Sequence, residues 1–374
     1  MKNNKTLQIS DLCNILNGYA FKSDKYVSEG IRVIRITNVQ KGFVEDTSPA
    51  FYPNSEEDKI KDYLLYENDL LVSLTGNVGR VALLEKQYLP AALNQRVACL
   101  RIKDQNLIHI KYLFTYLNSE KFENDCVFSA KGIAQKNMST EWLKHYEIPV
   151  LELNKQIEIY TNLEKISKII NNHKALLSKY DILIKSRFIE MFGDIQKYTK
   201  EPFKDCSLFI DYRGHTPEVS EQGHIRMVNA KSVGKGFFKY VNEYVTEEIY
   251  DSWMHRGFPK ANDVLFVTEG HTFGNTCQVP ANINKFALGQ RVITIRGNDN
   301  KLNNFFLNAY MQTDDFYKDI TKYKTGGTAQ GIRSKDLLKV EIPLPPIKLQ
   351  NDFSTFVQEI DKSKFENTTQ EIAA

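Results

Sequence analysis

An internal repeat constrains the fold of this 374-residue chain more than any other feature of its sequence. Displaced by 194 positions, residues 31–34 (IRVI) align with residues 225–228 (IRMV), and residues 68–71 (NDLL) align with residues 262–265 (NDVL). Further segments match at displacements of 194 or 195: 39–43 with 233–237, 94–97 with 289–292, parts of 132–144 with 327–339, and 147–149 with 341–343. Chance similarity does not keep one register over about 130 residues, so the chain is a duplication.

Each repeat contains the same series of predicted elements. Short β-rich runs, such as residues 31–36 (IRVIRI) and 69–74 (DLLVSL), are separated by Gly and Asn turns and predict strands. A helical segment follows, the first near 110–118. Pro149 and the proline-rich run 343–346 then precede a helix, since proline ends regular structure. The predicted class is a mixed α+β fold with an internal pseudo-two-fold repeat. Its predicted parts are globular domains at 1–153 and 194–346, a long helix at 154–193, and a shorter helix and tail at 347–374.

Residues 156–192 form the longest predicted helix. This stretch contains no Pro or Gly, and its apolar seam alternates in steps of three and four over more than four heptads. Such a helix would be about 55 Å long. A long core helix would explain the pattern, but we favour a spacer that packs on a partner helix, because one globular domain rarely needs such a rod. His173 lies on the seam and is interpreted as a polar register residue rather than a metal ligand.

A second helix, beginning near Gln350, carries a similar seam. Similar seams at equivalent places predict antiparallel packing of the two helices. The second seam ends near Phe365, so it would cover only part of the first helix. We therefore expect another subunit to cover the rest, above all at 177–191. The candidate interface residues are Leu163, Ile166, Ile170, Leu177, Tyr180, Ile184, Met191, Phe353, Phe356 and Ile360.

Composition excludes several classes of protein. An apolar fraction of 42% is typical of folded globular chains, and a net charge of +3 requires any nucleic-acid surface to be local. The five cysteines form no C-x-x-C pair, the N-terminus is polar, and no apolar run approaches the ~20 residues of a membrane span, which together predict a cytoplasmic protein with reduced thiols. Scattered histidines predict no metal site. No nucleophile motif or repeated acidic pair is present, which argues against catalysis.

The loop at 75–80 (TGNVGR) leaves a predicted strand and contains two glycines. Its backbone N–H groups and Arg80 are suited to a phosphate, so it is interpreted either as a DNA-facing loop or as a simple hairpin turn. It lacks the glycine spacing of nucleotide-binding loops. Its counterpart in the second repeat is the loop at 269–275 (EGHTFGN).

Gln-Arg pairs occur in both repeats, at 95–96 and 290–291. Gln and Arg can bind adenine and guanine, but residues identical in both repeats favour structural or phosphate-positioning roles over base discrimination. Segments that differ between the repeats, 43–59 against 237–254 and 17–20 against 212–215, are where different bases could be read. The candidate DNA-binding residues are Thr75, Gly76, Asn77, Gly79, Arg80, Gln95, Arg96, Lys131, Gln135, Lys136, Arg213, His215, Glu269, His271, Thr272, Gln290, Arg291, Lys324, Gln330 and Arg333.

With these motifs assembled, the chain resembles the specificity subunit of type I restriction–modification systems. The resemblance covers nearly the whole chain. Its matching segments include GIRVIRITNVQKG, ENDLLVSLTGNVGRVAL, LNQRVACLR, ALGQRVITIRG and GGTAQGIRSKDLLKVEIPLPPIKLQNDF. It implies two target-recognition domains joined by two long antiparallel helices, with each domain reading one half of a bipartite, asymmetric duplex DNA target.

The resemblance also implies the partners. Specificity subunits carry no catalysis and bind no cofactor; two modification subunits use S-adenosylmethionine to methylate adenine, and two restriction subunits translocate and cleave DNA. The alternative is a single-chain DNA methyltransferase or nuclease with a degenerate site, which should carry an N-P-P-Y-type loop or an acidic metal cluster. A third interpretation, a coiled-coil scaffold, predicts no DNA preference.

Overall fold

The structure is a computed structural model that describes residues 5–129, 137–212, 214, 216–325 and 330–373, with side chains described as far as Lys364. It divides into two compact units, unit 1 ending at Asn171 and unit 2 beginning at Asn172. The division falls inside one long helix. Each unit therefore contains one repeat and one part of that helix.

Unit 1 is built from short strands and helices. Its strands are β1 (Lys5–Gln8), β2 (Cys13–Asn17), β3 (Ile31–Ile34), β4 (Phe51–Tyr52), β5 (Leu64–Leu65), β6 (Leu70–Ser73), β7 (Val81–Leu83), β8 (Ala91–Leu93), β9 (Val97–Ile102) and β10 (Glu147–Val150). Its helices are α1 (Ile9–Leu12), α2 (Glu57–Ile60), α3 (Ile110–Leu117), α4 (Glu120–Ser129), α5 (Thr140–His145) and the first part of α6 (Leu153–Phe192). Single 3₁₀ turns occur at Ser23–Lys25, Asn54–Glu56, Lys61–Tyr63 and Lys86–Tyr88.

The central sheet of unit 1 has the strand order β2-β9-β6-β7, and all neighbours are antiparallel. A second sheet, β4-β3-β8-β5, contains the parallel pair β3–β8, and β1 pairs with β10. Leu70 and Val72 of β6 belong to one apolar cluster, whereas Leu71 belongs to another. Because successive side chains of a strand point to opposite faces, the continuous apolar run of β6 reflects burial on both sides.

Unit 2 repeats this series of elements. Its strands are β11 (Lys200–Pro202), β12 (Ser207–Asp211), β13 (Ile225–Val228), β14 (Tyr244–Val245), β15 (Val264–Val267), β16 (Thr276–Gln278), β17 (Phe286–Leu288), β18 (Val292–Gly297) and β19 (Glu341–Pro343). Its helices, besides the second part of α6, are α7 (Phe203–Cys206), α8 (Glu247–Trp253), α9 (Asn304–Tyr310), α10 (Asp314–Thr321), α11 (Ser334–Leu337) and α12 (Ile347–Ala373), with 3₁₀ turns at Ile195–Lys197 and Ala230–Ser232.

The sheets of unit 2 confirm the predicted duplication and the mixed α+β class. The order β12-β18-β15-β16 repeats β2-β9-β6-β7, and β11 pairs with β19 as β1 pairs with β10. In the other sheet, β14-β13-β17, the parallel pair β13–β17 corresponds to β3–β8. The repeats differ after β4 and β14: unit 1 has two 3₁₀ turns flanking the short α2, whereas unit 2 has the seven-residue α8.

Each repeat contains a bidentate ion pair at the same place. Arg101 donates from Nε and Nη2 to the two carboxylate oxygens of Asp69 at 2.8 and 2.7 Å. Arg296 binds Asp263 with the same two distances. Both aspartates are buried, and hydrogen bonding to them raises the pKa of each arginine above its ordinary value. The pair joins the turn before β6 or β15 to the neighbouring central strand, so it stabilises the sheet that supports the loop beyond.

A buried glutamine attaches the start of α6 to unit 1. The Oε1 atom of Gln156 accepts a hydrogen bond from the backbone N–H of His109 at 2.8 Å. Its Nε2 group donates to the carbonyl oxygens of Leu107 and Leu151 at 2.9 and 2.8 Å. Since all three partners are backbone groups, this side chain fixes the first turn of the helix against the segment that precedes α3.

The equivalent glutamine attaches α12 to unit 2. Gln350 accepts from the N–H of Asn303 at 2.9 Å, and it donates to the carbonyl oxygens of Lys301 and Pro345 at 3.0 and 2.7 Å. All four residues are the repeat equivalents of those around Gln156. The aligned glutamines of the sequence repeat are therefore structural attachment points for the two long helices.

Within unit 2, α12 packs antiparallel to the C-terminal part of α6. The rings of Phe188 and Phe192 lie 5.6 and 5.5 Å from the ring of Phe353, near the start of α12. Further along α12, Lys364 forms an ion pair with Asp181 at 3.0 Å. Later residues of α12 therefore meet earlier residues of α6, which is the predicted antiparallel arrangement.

Two expectations about these helices are wrong. The helix α12 continues past Phe365 to Ala373, since the chain beyond Phe365 contains no proline or glycine to stop it. The segment 177–191 is not left uncovered: Ile184 and Met191 pack against the apolar cluster of unit 2 that includes Phe353. An antiparallel partner that begins in unit 2 covers the C-terminal end of α6 first.

Candidate nucleic-acid interface

Three separate segments of unit 1 converge beyond the end of β6. The N–H of Leu74 donates to the carbonyl oxygen of Arg96 at 3.0 Å, and the N–H of Met138 donates to the carbonyl oxygen of Leu74 at 2.8 Å. The next residue, Thr75, forms an antiparallel bridge with Asn137. The glycine-containing loop, the Gln-Arg turn and the segment before α5 therefore meet at one edge of the sheet.

Unit 2 brings its equivalent segments together in the same way. The N–H of Thr268 donates to the carbonyl oxygen of Arg291 at 2.9 Å, and the N–H of Ile332 donates to that of Thr268 at 2.9 Å. The N–H of Gly270 also donates to the carbonyl oxygen of Gln330 at 3.0 Å. Candidate residues that are separated by up to about 60 positions in the sequence thus share one edge of the domain.

Arg291 has an unusual backbone at this edge. Its φ of 69° lies in the left-handed region, which costs a non-glycine residue on the order of 1 kcal/mol. Its Nε lies 3.1 Å from Oε1 of Glu269, and both side chains are half-exposed. An arginine in such a conformation, where Gly or Asn would be easier, favours a functional role for this turn.

A cleft of about 590 Å³ opens beside the loop at 75–80 in unit 1. Four predicted residues line one part of it: Thr75, Gly76, Asn77 and Arg80. The connection between β3 and β4 supplies the other part: Arg35, Ile36, Thr37, Asn38, Gln40, Glu45, Thr47 and Ser48. The cleft therefore offers arginine and amide donors together with hydroxyl, amide carbonyl and carboxylate acceptors. The arginines suit phosphates, and the amides and acceptors, including Glu45, suit base edges.

Hydrogen bonds hold these cleft side chains in place. The side-chain oxygen of Asn38 accepts from the N–H of Arg35 at 2.9 Å, and its Nδ2 donates to the carbonyl oxygen of Glu45 at 2.8 Å. The guanidinium group of Arg80 donates to the side-chain oxygen of Gln40. Side chains held in this way lose little conformational freedom when a ligand binds.

Sequence reasoning missed the residues that the connection between β3 and β4 contributes to the cleft. Arg35 directly follows the aligned segment 31–34, and Gln40 lies within the aligned segment 39–43. Arg35 is aligned with Asn229, and Gln40 with Gly234. Polar side chains that differ within an otherwise matched segment are the sequence signal that could have identified these cleft residues.

The two glycines of the loop at 75–80 have different roles. A Cβ on Gly79 would lie 2.8 Å from the Cβ and Sγ atoms of Cys126, so a packing requirement explains this glycine. Gly76 has a φ of 67° and open space around the position of a Cβ. Of the two, only Gly76 leaves room for a nucleic-acid backbone to approach.

The remaining candidates are distributed around these edges. Exposed positions are Asn77, Gln95, Arg96, Glu269, His271, Gln290, Arg291 and Arg333, and half-buried positions are Thr75, Arg80, Thr272, Lys324 and Gln330. Lys131, Gln135, Lys136, Arg213 and His215 lie outside the described residues. Tyr212, at the start of the segment 212–215, is buried and its hydroxyl donates to the carbonyl oxygen of Gly257 at 2.9 Å, so this residue does not read a base.

The predicted interface residues on the long helices have two environments. Leu163, Ile166 and Ile170 are exposed, in the part of α6 that belongs to unit 1. In unit 2, Phe353 is buried, and Leu177, Tyr180, Ile184, Met191, Phe356 and Ile360 are half-buried. A role in contacts with another subunit stays a prediction for all of them.

The described residues contain no group of three or more His, Cys, Asp and Glu side chains that could hold a metal ion. All five cysteines are free and buried, and burial raises the pKa of the Cys13, Cys126, Cys206 and Cys277 thiols to about 12. Protonated, buried thiols are poor nucleophiles and poor metal ligands. No described helix is both long enough and apolar enough to cross a membrane.

Comparison with known proteins finds relatives and solved structures with which this chain shares sequence or fold. The chain is 29% identical over 175 residues to the EcoAI specificity subunit of Escherichia coli, a match that covers 46% of this chain and 29% of that protein. It is 23% identical over 377 residues to the putative MjaX specificity subunit of Methanocaldococcus jannaschii, covering 95% of this chain and 86% of that protein. Among solved structures, the S subunit of a type I restriction–modification system from M. genitalium has a similar fold, with a TM-score of 0.63, 15% identity, and coverage of 99% and 93%.

The family described as the type I restriction modification DNA specificity domain matches residues 1–195 and 214–374. The two matched regions correspond to the two repeats found in the sequence and in the strand order. This chain belongs to the type I restriction–modification DNA specificity family.

Proposed function

We propose that this chain is the DNA sequence-recognition subunit of a type I restriction–modification complex and that it binds a bipartite, asymmetric duplex target. The observation that carries the proposal is the duplication: one scaffold occurs twice, with different polar side chains beside equivalent loops. Equivalent domains with different contact surfaces suit a target whose two halves differ in sequence.

In this proposal, residues shared by the two repeats contact phosphates, and residues that differ between them recognise bases. Arg96 and Arg291 occupy equivalent exposed turns, and we assign them to phosphate contacts that position each domain. Arg35 and Gln40, whose equivalents in unit 2 are Asn and Gly, are assigned to base recognition in the cleft of unit 1. With a net charge of only +3, such local cations must supply most of the electrostatic attraction to DNA.

Catalysis belongs to the partners in this proposal. Two modification subunits bind S-adenosylmethionine and methylate adenine, and two restriction subunits translocate and cleave DNA. The specificity subunit itself contributes recognition and binds no cofactor. Because its target is DNA, we place the complex in the cytoplasm.

The proposal is tested by sequencing the methylated bases of cells that carry this chain with its modification subunit. We expect methylated adenines in a single motif made of two defined halves and an unspecified spacer. Absent methylation, or methylation without a shared motif, would overturn the proposal. Cells that carry the modification subunit alone are the control, because they report the adenine methylation that occurs without this chain.

Domain exchange tests the assignment of one half-site to each repeat. Residues 1–150 end with β10, before α6 begins at Leu153, so this segment can be exchanged with that of another family member without cutting an element. Only one half of the methylated motif should change. A change in both halves would contradict the assignment.

A further inference from the structure

Two large apolar side chains are exposed at equivalent positions of the repeats. Phe43 is 53% exposed and Phe237 is 56% exposed, and the two are aligned in the sequence repeat. Single exposed apolar residues are common on protein surfaces. The same exposed ring in two domains whose recognition surfaces otherwise differ points to a contact that both domains make.

A rigid hairpin presents Phe43. Val39 and Val44 form a β-bridge, and the N–H of Gln40 donates to the carbonyl oxygen of Phe43 at 3.0 Å. At the tip, Gly42 has a φ of 92° and its N–H donates to the carbonyl oxygen of Val81 at 2.8 Å, which joins the hairpin to β7.

The hairpin of unit 2 has the same construction. The N–H of Gly234 donates to the carbonyl oxygen of Phe237 at 2.9 Å. Gly236 has a φ of 91°, and its N–H donates to the carbonyl oxygen of Thr276 at 2.9 Å, which joins the hairpin to β16. Both rings are thus held on a fixed support, so binding through them costs little conformational entropy.

The hairpins are continuous with the candidate DNA surface. Gln40 belongs to the hairpin of unit 1 and also lines the cleft, where Arg80 donates to it. A lysine precedes each tip glycine, at Lys41 and Lys235, and the ammonium group of Lys239 lies 5.6 Å from the centre of the Phe237 ring. Lys41 also forms an ion pair with Glu123, and both side chains are half-exposed. A cation beside an exposed ring, as at Phe237, suits a polyanion with stackable bases better than an apolar protein surface.

We propose that Phe43 and Phe237 contact duplex DNA in both half-sites as a pair of sequence-independent apolar contacts. This inference rests on the proposed function. Each ring packs against a base step or deoxyribose beside the residues that read bases, as apolar side chains do when they partly unstack a duplex. Because both halves carry the same residue, the rings contribute affinity and local DNA deformation rather than base discrimination.

The test uses the full chain in complex with its modification subunits. Binding to the target duplex and to a scrambled duplex is measured by fluorescence anisotropy for Phe43→Ala, Phe237→Ala and the double variant. Control variants are Phe128→Ala in unit 1 and Phe258→Ala in unit 2, which remove exposed rings that have no phenylalanine equivalent. A 2-aminopurine placed in each half-site reports unstacking.

Each single substitution should weaken binding about tenfold for both duplexes, leaving their ratio unchanged, and should lower the 2-aminopurine signal in one half-site only. Phe43→Trp and Phe237→Trp should retain binding, and the controls should change it less than about twofold.

Unchanged affinity for the double variant would overturn the inference, as would an altered base preference in the methylated motif. Loss of the modification subunits from the complex, with unchanged DNA affinity of the complexes that remain, would assign the rings to a protein partner and also overturn it. If the unsubstituted complex binds no bipartite target, the proposed function fails instead, so the two failures are distinguishable.

Discussion

The two repeats share their internal supports and differ at their surfaces. Both contain the buried Asp–Arg pair and the buried glutamine at the start of a long helix. Both also contain a glycine-tipped hairpin that is joined to equivalent strands, β7 in unit 1 and β16 in unit 2. The surfaces beside these supports differ: where unit 1 has Arg35 and Gln40, unit 2 has Asn229 and Gly234 at the aligned positions.

This difference separates two kinds of constraint on a duplicated recognition protein. Groups that hold the loops depend on buried hydrogen bonds, and a substitution on either side leaves a buried partner unsatisfied. Arg35 and Gln40 of the cleft are only half-buried, so replacing them carries less of that cost and they can change independently in each repeat. The comparison predicts that equivalent substitutions in these supports lower the stability of the two units equally. Unequal effects of an equivalent pair of substitutions would contradict it.

The largest effect is expected from the buried ion pairs. Asp69→Ala and Asp263→Ala should each lower the free energy of unfolding of their own unit by about 3 kcal/mol, because the arginine is left without its bidentate partner. Hydrogen exchange measured by mass spectrometry reports each unit separately. Glu269→Ala, which removes an exposed ion pair with Arg291, is the control and should change stability by less than about 0.5 kcal/mol. A large effect in one unit alone would break the equivalence of the supports.

A somewhat smaller effect is expected from the buried glutamines. Gln156→Ala and Gln350→Ala each leave one backbone N–H and two carbonyl groups without their partner, which should cost about 2 kcal/mol and increase exchange at the start of the attached helix. Urea denaturation with hydrogen exchange checks both. Gln358→Ala, on the exposed side of α12, removes a single side-chain hydrogen bond to the hydroxyl of Ser354 at 3.1 Å, so it should cost less than about 1 kcal/mol and leave exchange at the start of the helix unchanged. If the first turn of α6 exchanged its amide hydrogens equally slowly in Gln156→Ala and in the unsubstituted chain, Gln156 would not be what attaches this helix to unit 1.

The smallest effect depends on pH and sharpens the comparison at one position. His109 caps α3 by accepting a hydrogen bond from the N–H of Lys111 through Nδ1 at 3.2 Å, and its equivalent Asn303 caps α9 with a side-chain oxygen. Burial and the charge of Lys111 lower the pKa of His109 below its ordinary value of 6.5. The cap is complete above pH 6.5, and its contribution of about 1 kcal/mol is lost as the pH falls through the lowered folded-state pKa.

The replacement His109→Asn copies the cap of unit 2 and should remove this part of the pH dependence. Unfolding measured between pH 7.5 and pH 5, at about half-unit steps, compares the two chains. The difference between them should grow as the pH falls. An identical pH dependence in both would show that His109 does not titrate against the cap.

Much of the fold was predictable because its signals are local. Alternating or continuous apolar runs predicted the central strands, proline and glycine marked their ends, and the repeat placed each element twice. The Asp–Arg pair was less accessible: Asp69 and Asp263 lie in the matched segments, but their arginines lie more than 30 positions away on another strand. The coverage of α6 by α12 was predicted at the wrong end, because the direction of packing depends on the unit from which the second helix begins.

The sequence by itself determined that the chain is a duplication and which residue types recur, because the two repeats can be aligned position by position. It also determined where most helices and strands lie, since propensity and periodicity depend on neighbours in the chain. Only the tertiary structure decided which recurring residues meet. The contact of Thr75 with Asn137, the bonds of Gln156 to a segment 47 positions away, and the cleft between Arg35 and Arg80 all depend on long-range pairing of backbone and side chains. Strand register and helix packing bring those groups together, and no local pattern in the sequence records them.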